Sequence, residues 1–228
     1  MKKNKTPEET RKSLLDAGLV LFGEHGFKSV TTRMLAQEAG VNQAAIPYHF
    51  NGKEGLYLAV AEYAAETILV RTHELYTAYE ENLGGGLSKK ECAVRIARHL
   101  QSMLSGMVGL EEQRRFVRFI YQEYMNPGQG FHIIYNRVIL RNHMALSALV
   151  AVMMDVEIES DEAIVRTHAI AGQIMGVVAA RVVLLKRLGR DQFTKADIQL
   201  LYKSILEMSL LGFGLDRQAL QDILEEVQ

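Results

Sequence analysis

The stretch Thr31–Phe50 reads TTRMLAQEAGVNQAAIPYHF and predicts two short helices that meet at a tight corner. Gly40 lies at that corner, where the turn needs a positive φ that glycine adopts without a Cβ clash. Ala36 is small where the two helices cross, and Asn42 is placed to cap the second helix. In such a helix-turn-helix the second helix enters the DNA major groove, and its first residues meet base edges. Those residues here are Gln43, Ala44 and Ala45.

The segments on either side of the motif favour DNA binding over an ordinary helical hairpin at the protein surface. Asn51 and Glu54 have the spacing of a capping box, so a new helix is predicted to begin there. Lys53 adds a positive charge to that helix N-terminus, an arrangement that suits a DNA phosphate. Upstream, Thr6-Pro7-Glu8-Glu9 has the capping residue, proline and glutamate of another helix start. The helix that begins there is expected to end at Gly26.

Residues 8–68 resemble the DNA-binding domain of the TetR family of bacterial transcriptional regulators. The matching segments are AGLVLFGEHGFKSVTTRMLAQEAGV at 17–41 and AAIPYHFNGKEGLYLAV at 44–60. One departure is Pro47, which has no N–H to bond to the carbonyl of Gln43 within the second helix of the motif. The motif and the resemblance together predict that DNA is contacted by Thr31, Thr32, Arg33, Asn42, Gln43, Ala44, Ala45, Pro47, Tyr48, His49 and Lys53. Arg33 and Lys53 are expected to bind phosphates.

Charge is divided unevenly along the chain of 228 residues, whose net charge is −1. Residues 1–56 hold eight Lys/Arg and six Asp/Glu, net +2, and the remainder holds eighteen and twenty-one, net −3. The basic end is therefore the one predicted to meet phosphate, although a solvated surface would show the same balance. The single cysteine, Cys92, cannot form an intrachain disulfide, and we expect a buried thiol rather than a redox sensor.

The chain is expected to be cytoplasmic. No secretory apolar segment follows the N-terminal lysines, because the sequence passes directly to Thr6-Pro7-Glu8. Gln173 and Arg181 interrupt the longest apolar stretch, Ala169–Leu185, so we predict no membrane span.

Beyond residue 56 the pattern is helical almost throughout, which predicts an all-α fold of about nine helices. Three short helices form the N-terminal DNA-binding domain, 8–68, with its motif at 31–50. Residues 69–228 form a C-terminal domain for ligand sensing and dimerisation. Glycine-rich and polar breaks, including Leu83–Gly86, divide this region into predicted helices at 56–82, 88–105, 110–125, 131–155, 161–188 and 194–213.

Two long helices near the C-terminus are predicted to form a dimer interface, as the resemblance implies. The first carries small residues at helical spacing, which would let two helices approach closely. Its predicted interface residues are Ala169, Gly172, Gly176, Ala180 and Val183. The second helix is expected to contribute Ile198, Leu201 and Ile205, and the same helical spacing also offers Met208 and Leu211 or Phe213. An internal core with no partner is the alternative. A two-fold dimer would also present two recognition helices to two half-sites on one face of the duplex.

The resemblance further implies a small-molecule pocket among the middle helices. Flexible methionines and polar residues within apolar stretches are the candidates, because ligand sites combine apolar walls with a few polar groups. They are Met103, Met107, Phe119, Glu123, Tyr135, His168 and Gln173. For each of these, a place in the core or a structural hydrogen bond is the alternative.

Residues 90–213 are similar to the C-terminal domain of a TetR subgroup exemplified by the regulator CecR. The similarity rests on RFIYQEYMNP at 118–127 and HAIAGQ at 168–173.

Two other classes of function remain as alternatives, an all-α enzyme and a helical adaptor. No histidine has a glutamate three residues before it, as a di-iron bundle would require. The sequence also lacks the His-Glu-x-x-His, Gly-x-Ser-x-Gly and Gly-x-x-x-x-Gly-Lys motifs. We therefore expect no catalytic, metal or cofactor site. The predicted function is a homodimeric repressor that a small molecule releases from a pseudo-palindromic, double-stranded operator.

Overall fold

The computed structural model describes residues 5–80, 86–109 and 111–227. They contain twelve α-helices: α1 Pro7–Ser29, α2 Thr32–Ala39, α3 Ala45–Phe50, α4 Lys53–Glu80, α5 Lys89–Leu104, α6 Glu111–Met125, α7 Gln129–Ile134, α8 Leu140–Met154, α9 Asp161–Ala179, α10 Arg181–Leu188, α11 Lys195–Gly212 and α12 Arg217–Glu226. Two π-helical segments, Ser105–Gly109 and Tyr135–Ile139, extend α5 and join α7 to α8.

The all-α prediction is confirmed, and the larger number of helices has local causes. The predicted helix 161–188 is two helices, α9 and α10, bent by 66° at the break between them. The expected break near Gly106 is instead a π-helical segment. Helix α12 was not predicted. The Leu83–Gly86 break falls mostly outside the described residues.

Helix α1 begins as the sequence predicts. Oγ1 of Thr6 accepts a hydrogen bond from the Glu9 N–H at 3.2 Å, and the Glu9 carboxylate accepts one from the Thr6 N–H at 2.8 Å. This capping box satisfies two of the donors that a helix N-terminus leaves free. Gly26 has φ 71° and ψ 165°, so the regular helix breaks there, and a last turn continues to Ser29.

Contacts divide the chain into two compact units. The first contains Met1–Arg71 and Glu112–Leu140, so it includes α6 and α7 as well as the N-terminal helices. Its core comprises Leu14, Leu19, Phe22, Leu35, Ile46, Leu56, Val60, Phe116, Phe119, Ile134 and Val138. Gly18 and Gly23 allow this packing, because a Cβ would lie 2.5 Å from Val60 Cγ2 and 3.0 Å from the Phe119 backbone nitrogen, respectively.

The second unit contains Thr72–Glu111 and Arg141–Gln228. Its core includes Ile96, Leu100, Leu104, Leu146, Val150, Met153, Ile170, Ile174, Ile205, Leu206, Leu210 and Ile223. Cys92 is completely buried in this core, as predicted, and burial raises the pKa of its thiol. Such a thiol forms little thiolate at neutral pH.

One helical stretch among the described residues, Gln129–Met154, is long and apolar enough to cross a membrane by length and composition alone. The mean hydropathy over its most apolar window is 1.3, and 39% of that window is buried. The bent pair α9 and α10 passes the same test only when its two helices are counted together. Ordinary core helices pass this test too, so the finding is weak support for a span.

Candidate DNA-binding interface

The corner of the motif has the geometry that the sequence predicts. Gly40 adopts φ 63° and ψ 40°, and its N–H bonds to carbonyls in the last turn of α2. The Val41 N–H donates to the Ala36 carbonyl at 3.0 Å, which closes the turn. At the other end of α2, the Thr31 hydroxyl accepts from the Met34 N–H at 3.2 Å. The predicted positive φ at Gly40 is therefore confirmed.

The chain enters α3 through two local devices. Oδ1 of Asn42 accepts a hydrogen bond from the Ala44 N–H at 2.9 Å, within the turn that precedes α3. The predicted cap is not formed, because α3 begins at Ala45 and its N-cap residue, Ala44, makes no side-chain hydrogen bond. Pro47 cannot donate to the carbonyl of Gln43, but the Ile46 N–H does so at 3.2 Å. The tighter first turn thus satisfies the acceptor that proline leaves without its usual donor.

The junction between α3 and α4 corrects one prediction. Asn51 does not cap α4 through a capping box, because it adopts the left-handed conformation with φ 58° and ends α3. An N-cap residue would need extended backbone instead. Gly55, in the first turn of α4, approaches α3 so closely that a Cβ would lie 1.7 Å from the carbonyl oxygen of Phe50. Glycine at 55 thus sets the position of the recognition helix.

The predicted DNA-contacting residues lie mainly on the exposed side of α2 and α3. Ile46 and Phe50 are buried in the core of the first unit, which fixes the face that α3 presents to solvent. Tyr48 is 81% exposed, and its ring packs edge-on against His49 at 4.8 Å between centroids. Thr32, Ala45, His49 and Lys53 are half-buried, and Thr31, Arg33, Asn42, Gln43, Ala44, Pro47 and Tyr48 are exposed.

One side-chain hydrogen bond joins the two helices at this surface. Nε2 of Gln43 donates to the Thr32 hydroxyl at 2.8 Å across eleven residues of sequence. The bond places the Gln43 carboxamide beside the start of α2.

Lys53 is more strongly tied to the protein than the sequence indicated. Its ammonium donates to the backbone carbonyls of Phe27 at 3.1 Å and Val30 at 2.9 Å, and it lies 4.2 Å from the centre of the Phe27 ring. Lys53 therefore holds the loop between α1 and α2. An ammonium has three donors, so one N–H stays available for a phosphate.

Sequence reasoning missed the structural role of Lys5. Its ammonium donates to the Ala39 carbonyl at 2.6 Å and to the Ser13 hydroxyl at 2.8 Å. A cation at the last carbonyls of α2 stabilises the negative end of that helix. The only sequence signal was the run of lysines before Thr6.

The predicted ligand-pocket residues are divided between the two units. In the first, Phe119 is completely buried against the backbone of Gly23, so it is a core residue rather than a pocket wall. Tyr135 is partly exposed and packs on Phe131, with ring centroids 5.7 Å apart. In the second unit, Met103, Met107 and Gln173 are half-buried, and His168 is exposed with its ring 6.2 Å from that of His143.

Glu123 is a buried structural carboxylate. Its Oε1 accepts a 2.5 Å hydrogen bond from the Tyr57 hydroxyl, and its Oε2 is buried as well. Burial raises the pKa of Glu123, and burial followed by the hydrogen bond to the carboxylate raises the pKa of Tyr57. Gly130 fits against this pair, because a Cβ there would lie 3.0 Å from both Glu123 Oε2 and the Tyr57 hydroxyl.

A surface pocket of about 440 Å³ lies in the second unit and involves none of the predicted ligand residues. Its walls come from α5, α11 and α12: Gln101, Gln199, Leu200, Tyr202, Lys203, Gln221, Leu224 and Val227. The Tyr202 hydroxyl is buried without a hydrogen-bond partner, and burial raises its pKa to about 12.

The predicted dimer residues of α9 and α10 are exposed on the single chain. They are Ala169, Gly172, Gly176, Ala180 and Val183. No heavy atom lies within 4 Å of a Cβ built on Gly172 or Gly176, so packing within the chain does not require glycine there.

The predicted face of α11 needs correction. Ile205 is a core residue of the second unit, and Ile198 and Leu201 pack against that core. The large apolar residues exposed on this helix are Met208, which the sequence pattern also offered, and Leu200 two turns before it. Ser204, one turn from each, is exposed between them.

Among the residues that the structure describes, no group of three or more His, Cys, Asp or Glu side chains is arranged to hold a metal ion. Arg33 is exposed, and no hydrogen bond or ion pair holds its side chain within the same described ranges.

Sequence comparison matches two family profiles to this chain. Residues 14–60 match the bacterial regulatory proteins of the tetR family, and residues 93–213 match the C-terminal domain of the HTH-type transcriptional dual regulator CecR. The CecR protein of Shigella flexneri is 29% identical over 218 residues, covering 93% of this chain and 96% of that protein.

Solved structures show the same fold. The AmtR structure from Mycobacterium smegmatis has a TM-score of 0.58 at 18% identity and covers 99% of this chain and 97% of its own. The Bacillus subtilis regulator FadR, solved in complex with stearoyl-CoA, has a TM-score of 0.58 at 17% identity and covers 88% and 98%. The helix-turn-helix, the fold and the two profile matches agree with the resemblance found in the sequence, and the chain belongs to the TetR family of DNA-binding transcriptional regulators, with a C-terminal domain of the CecR type.

Proposed function

We propose that this regulator is a homodimeric repressor that binds a pseudo-palindromic operator and leaves it when a small molecule binds the C-terminal domain. The observation that carries the proposal is the exposed side of α2 and α3. There Arg33, Gln43 and Tyr48 face solvent beside a buried apolar side that holds the helix in place.

Base reading is assigned to Gln43, in the turn just before α3, and phosphate binding to residues around it. Gln43 can form two hydrogen bonds with the major-groove edge of adenine. Arg33 is exposed and makes no ion pair among the described residues, so its guanidinium suits a phosphate. Lys53 would offer its remaining N–H to a second phosphate while it stays bound to the Phe27 and Val30 carbonyls.

Dimerisation through α9–α11 is supported by an apolar surface that the single chain leaves uncovered. Gly172 and Gly176 leave open space on α9. Val182 and Val183 of α10 and Leu200 and Met208 of α11 are all more than half exposed. Exposed apolar residues in this number are typical of a surface that another chain covers. A two-fold dimer would then place two copies of α3 about one DNA turn apart.

The effector is proposed to act on the second unit, which makes up most of the C-terminal domain. Half-buried Met103, Met107 and Gln173 offer adaptable apolar contacts with one polar group. FadR, a relative in fold, was solved with stearoyl-CoA, which supports a small-molecule ligand for this fold. Release requires that the effector bind more tightly to the conformation that fits the operator poorly.

Activation is the second candidate mode of regulation. The relative from Shigella flexneri carries the name of a dual regulator, and it matches this chain over 93% of its length. We retain repression as the main proposal. We also propose that the protein acts in the cytoplasm, where its operator would lie, and that it is not an enzyme.

Selection from random DNA tests the proposal. Duplexes of about 30 base pairs are enriched on the full-length protein, and fluorescence anisotropy then compares the selected sequence with a scrambled one. We expect a selected sequence with two-fold symmetry, bound by a dimer with an affinity that falls steeply with salt. Gln43→Ala should lose selectivity, and Glu66→Gln, an exposed change on α4 outside the DNA-facing surface, should not. Equal affinity for selected and scrambled DNA would favour the adaptor alternative.

A reporter gene carrying the selected sequence between promoter and start codon distinguishes the two modes of regulation. A repressor should lower expression from that site, and an activator should raise expression when the site lies upstream of the promoter.

A further inference from the structure

We propose that Thr32 is a positioning residue, which orients the Gln43 carboxamide for base reading and ties that reading to a phosphate contact. The inference rests on the proposed function, since it assumes that α3 reads an operator. It begins from the 2.8 Å hydrogen bond that Nε2 of Gln43 donates to Oγ1 of Thr32.

The bond restrains a side chain for which the described residues provide no other hydrogen bond. Gln43 is exposed, and its neighbours Ala44 and Ala45 are too small to fix its rotamer. Asn42 does not compete for the carboxamide, because its Oδ1 already accepts from the Ala44 N–H. A free glutamine must lose three rotatable bonds of freedom when it binds a base. A glutamine already held by Thr32 loses less, so it discriminates better between bases.

The direction of the bond leaves the required groups free. With one N–H given to Thr32, the Gln43 carboxamide keeps Oε1 as an acceptor and one N–H as a donor. Adenine offers the complementary pair in the major groove, its N6 amino donor and its N7 acceptor.

The threonine hydroxyl has a second function in this arrangement. Its oxygen accepts from Gln43, so its own hydrogen is available to a DNA phosphate oxygen. One hydroxyl would then contact the backbone and hold the base-reading side chain. The Thr32 hydroxyl would therefore fix both the position of α2 against the DNA backbone and the orientation of Gln43 towards a base.

The test measures base discrimination rather than affinity alone. The operator selected by the wild-type protein is first used to find the position at which Gln43→Ala loses its base preference. Four duplexes are then made, each with a different base pair at that position. The Kd ratio between the preferred and the other base pairs is then measured for wild type, Thr32→Val and Thr32→Ser. Thr32→Val keeps the shape of the side chain and removes the hydroxyl. It should lower the ratio by about 3- to 10-fold, and Thr32→Ser should keep it within about 2-fold of wild type.

Thr6→Val is the matched control, because Thr6 lies outside the predicted DNA-contacting residues. The Thr6 hydroxyl caps α1 by accepting from the Glu9 N–H at 3.2 Å. Its loss should lower thermal stability and leave the discrimination ratio unchanged. The side-chain ¹⁵N resonance of Gln43 in the DNA-free protein should move in Thr32→Val and stay in place in Thr6→Val.

A double mutant separates positioning from phosphate contact alone. In the Gln43→Ala background, Thr32→Val should no longer change the ratio. If Thr32→Val weakens all four duplexes equally in both backgrounds, Thr32 is only a phosphate ligand and the proposal is overturned. An unmoved Gln43 resonance overturns it as well. If the wild type itself selects no sequence, then the proposed function has failed, and that result is distinct from either of these.

Discussion

The hydroxyl of Tyr57 on α4 and Oε1 of Glu123 on α6 lie 2.5 Å apart, in a hydrogen bond buried within the first unit. Tyr57→Phe removes the donor and leaves the carboxylate less well solvated. It should destabilise the protein by about 1–3 kcal/mol, the cost of leaving a buried polar group without its hydrogen bond. Urea unfolding of wild type and variant is the measurement.

Glu123→Gln tests the same pair from the other side. Burial raises the folded-state pKa of Glu123, so the folded state binds a proton more tightly than the unfolded state. The free energy of unfolding therefore falls as pH rises above the ordinary glutamate pKa. The glutamine should remove this decline and stabilise the protein at neutral pH. Glu38→Gln, an exposed change, should behave as wild type, and an unaltered pH dependence in Glu123→Gln would contradict the assignment.

Because His99 is buried, we expect the protein to lose stability in mild acid. This histidine is buried in the second unit, its Nε2 has no hydrogen-bond partner among the described residues, and burial lowers its pKa to about 4. The unfolded state takes up a proton near pH 6.5, so stability is complete above that pH and declines as pH falls towards 4. The decline should reach roughly 3 kcal/mol, from a shift of between two and three pH units.

His99→Met should flatten the pH dependence between 6.5 and 4 in chemical denaturation. His25→Gln serves as the control, because His25 is exposed. If the free energy of unfolding depends on pH in the same way in wild type and His99→Met, another group causes the decline.

Gly55→Ala should disturb the recognition helix. The added Cβ would lie 1.7 Å from the Phe50 carbonyl oxygen, so α3 and α4 must move apart. Overpacking of this kind costs about 1–3 kcal/mol and occasionally more, and we expect the upper end together with weaker operator binding. Gly212→Ala is the control, because no heavy atom lies within 4 Å of its Cβ. Thermal unfolding measures the loss of stability, and fluorescence anisotropy measures operator binding. If Gly55→Ala and Gly212→Ala behave alike, Gly55 does not lie against the Phe50 carbonyl.

Gly176→Leu should weaken the proposed dimer. Two leucines would enter one contact, one from each subunit, at about 1–3 kcal/mol each. The dissociation constant should rise by roughly 30-fold to 10⁴-fold. Met208→Asp should act in the same direction, because Met208 rather than Ile205 is exposed on α11. Sedimentation velocity measures the proportion of monomer and dimer, and Arg217→Leu is the exposed control. If the variants are folded and dimerise as tightly as wild type, α9 and α11 do not form the interface.

Arg33 and Lys53 should separate phosphate binding from stability. Arg33→Ala is expected to reduce the log–log salt slope of DNA binding by about 0.9, one phosphate contact, with little change in stability. Lys53→Met should reduce the slope similarly and also cost about 1.5–3 kcal/mol, because two backbone carbonyls lose a charged donor. Salt titrations of binding combined with urea unfolding distinguish them. A stable Lys53→Met would contradict the carbonyl contacts, and an unchanged slope would contradict the phosphate contact.

Local chemistry made the motif predictable. Gly40 and Asn42 act through their own backbone or through neighbours two residues away, so sequence spacing alone places them. The prediction that Asn51 caps α4 was wrong for a related reason. Asparagine caps helix starts and also tolerates the left-handed conformation at helix ends, and spacing does not distinguish the two roles.

The contacts that sequence reasoning missed join residues far apart in the chain. Tyr57 meets Glu123 across 66 residues, and Lys53 reaches Val30 across 23. Helix α11 shows the same limit, because it is apolar on more than one side. Periodicity therefore offered both Ile205 and Met208, and only tertiary packing decides which of them the chain's own core buries.

The core of the first unit has a consequence for protein engineering. Phe116, Phe119, Ile134 and Val138 pack in the same cluster as the helices that carry the DNA-binding motif. A chimaera joined at residue 68 would keep the recognition helix and discard these four side chains, which would expose the surface of α1 and α4 that they cover. To transfer the DNA specificity of this regulator to another sensor, the graft should therefore consist of two separate stretches, residues 5–71 and 112–140, taken together.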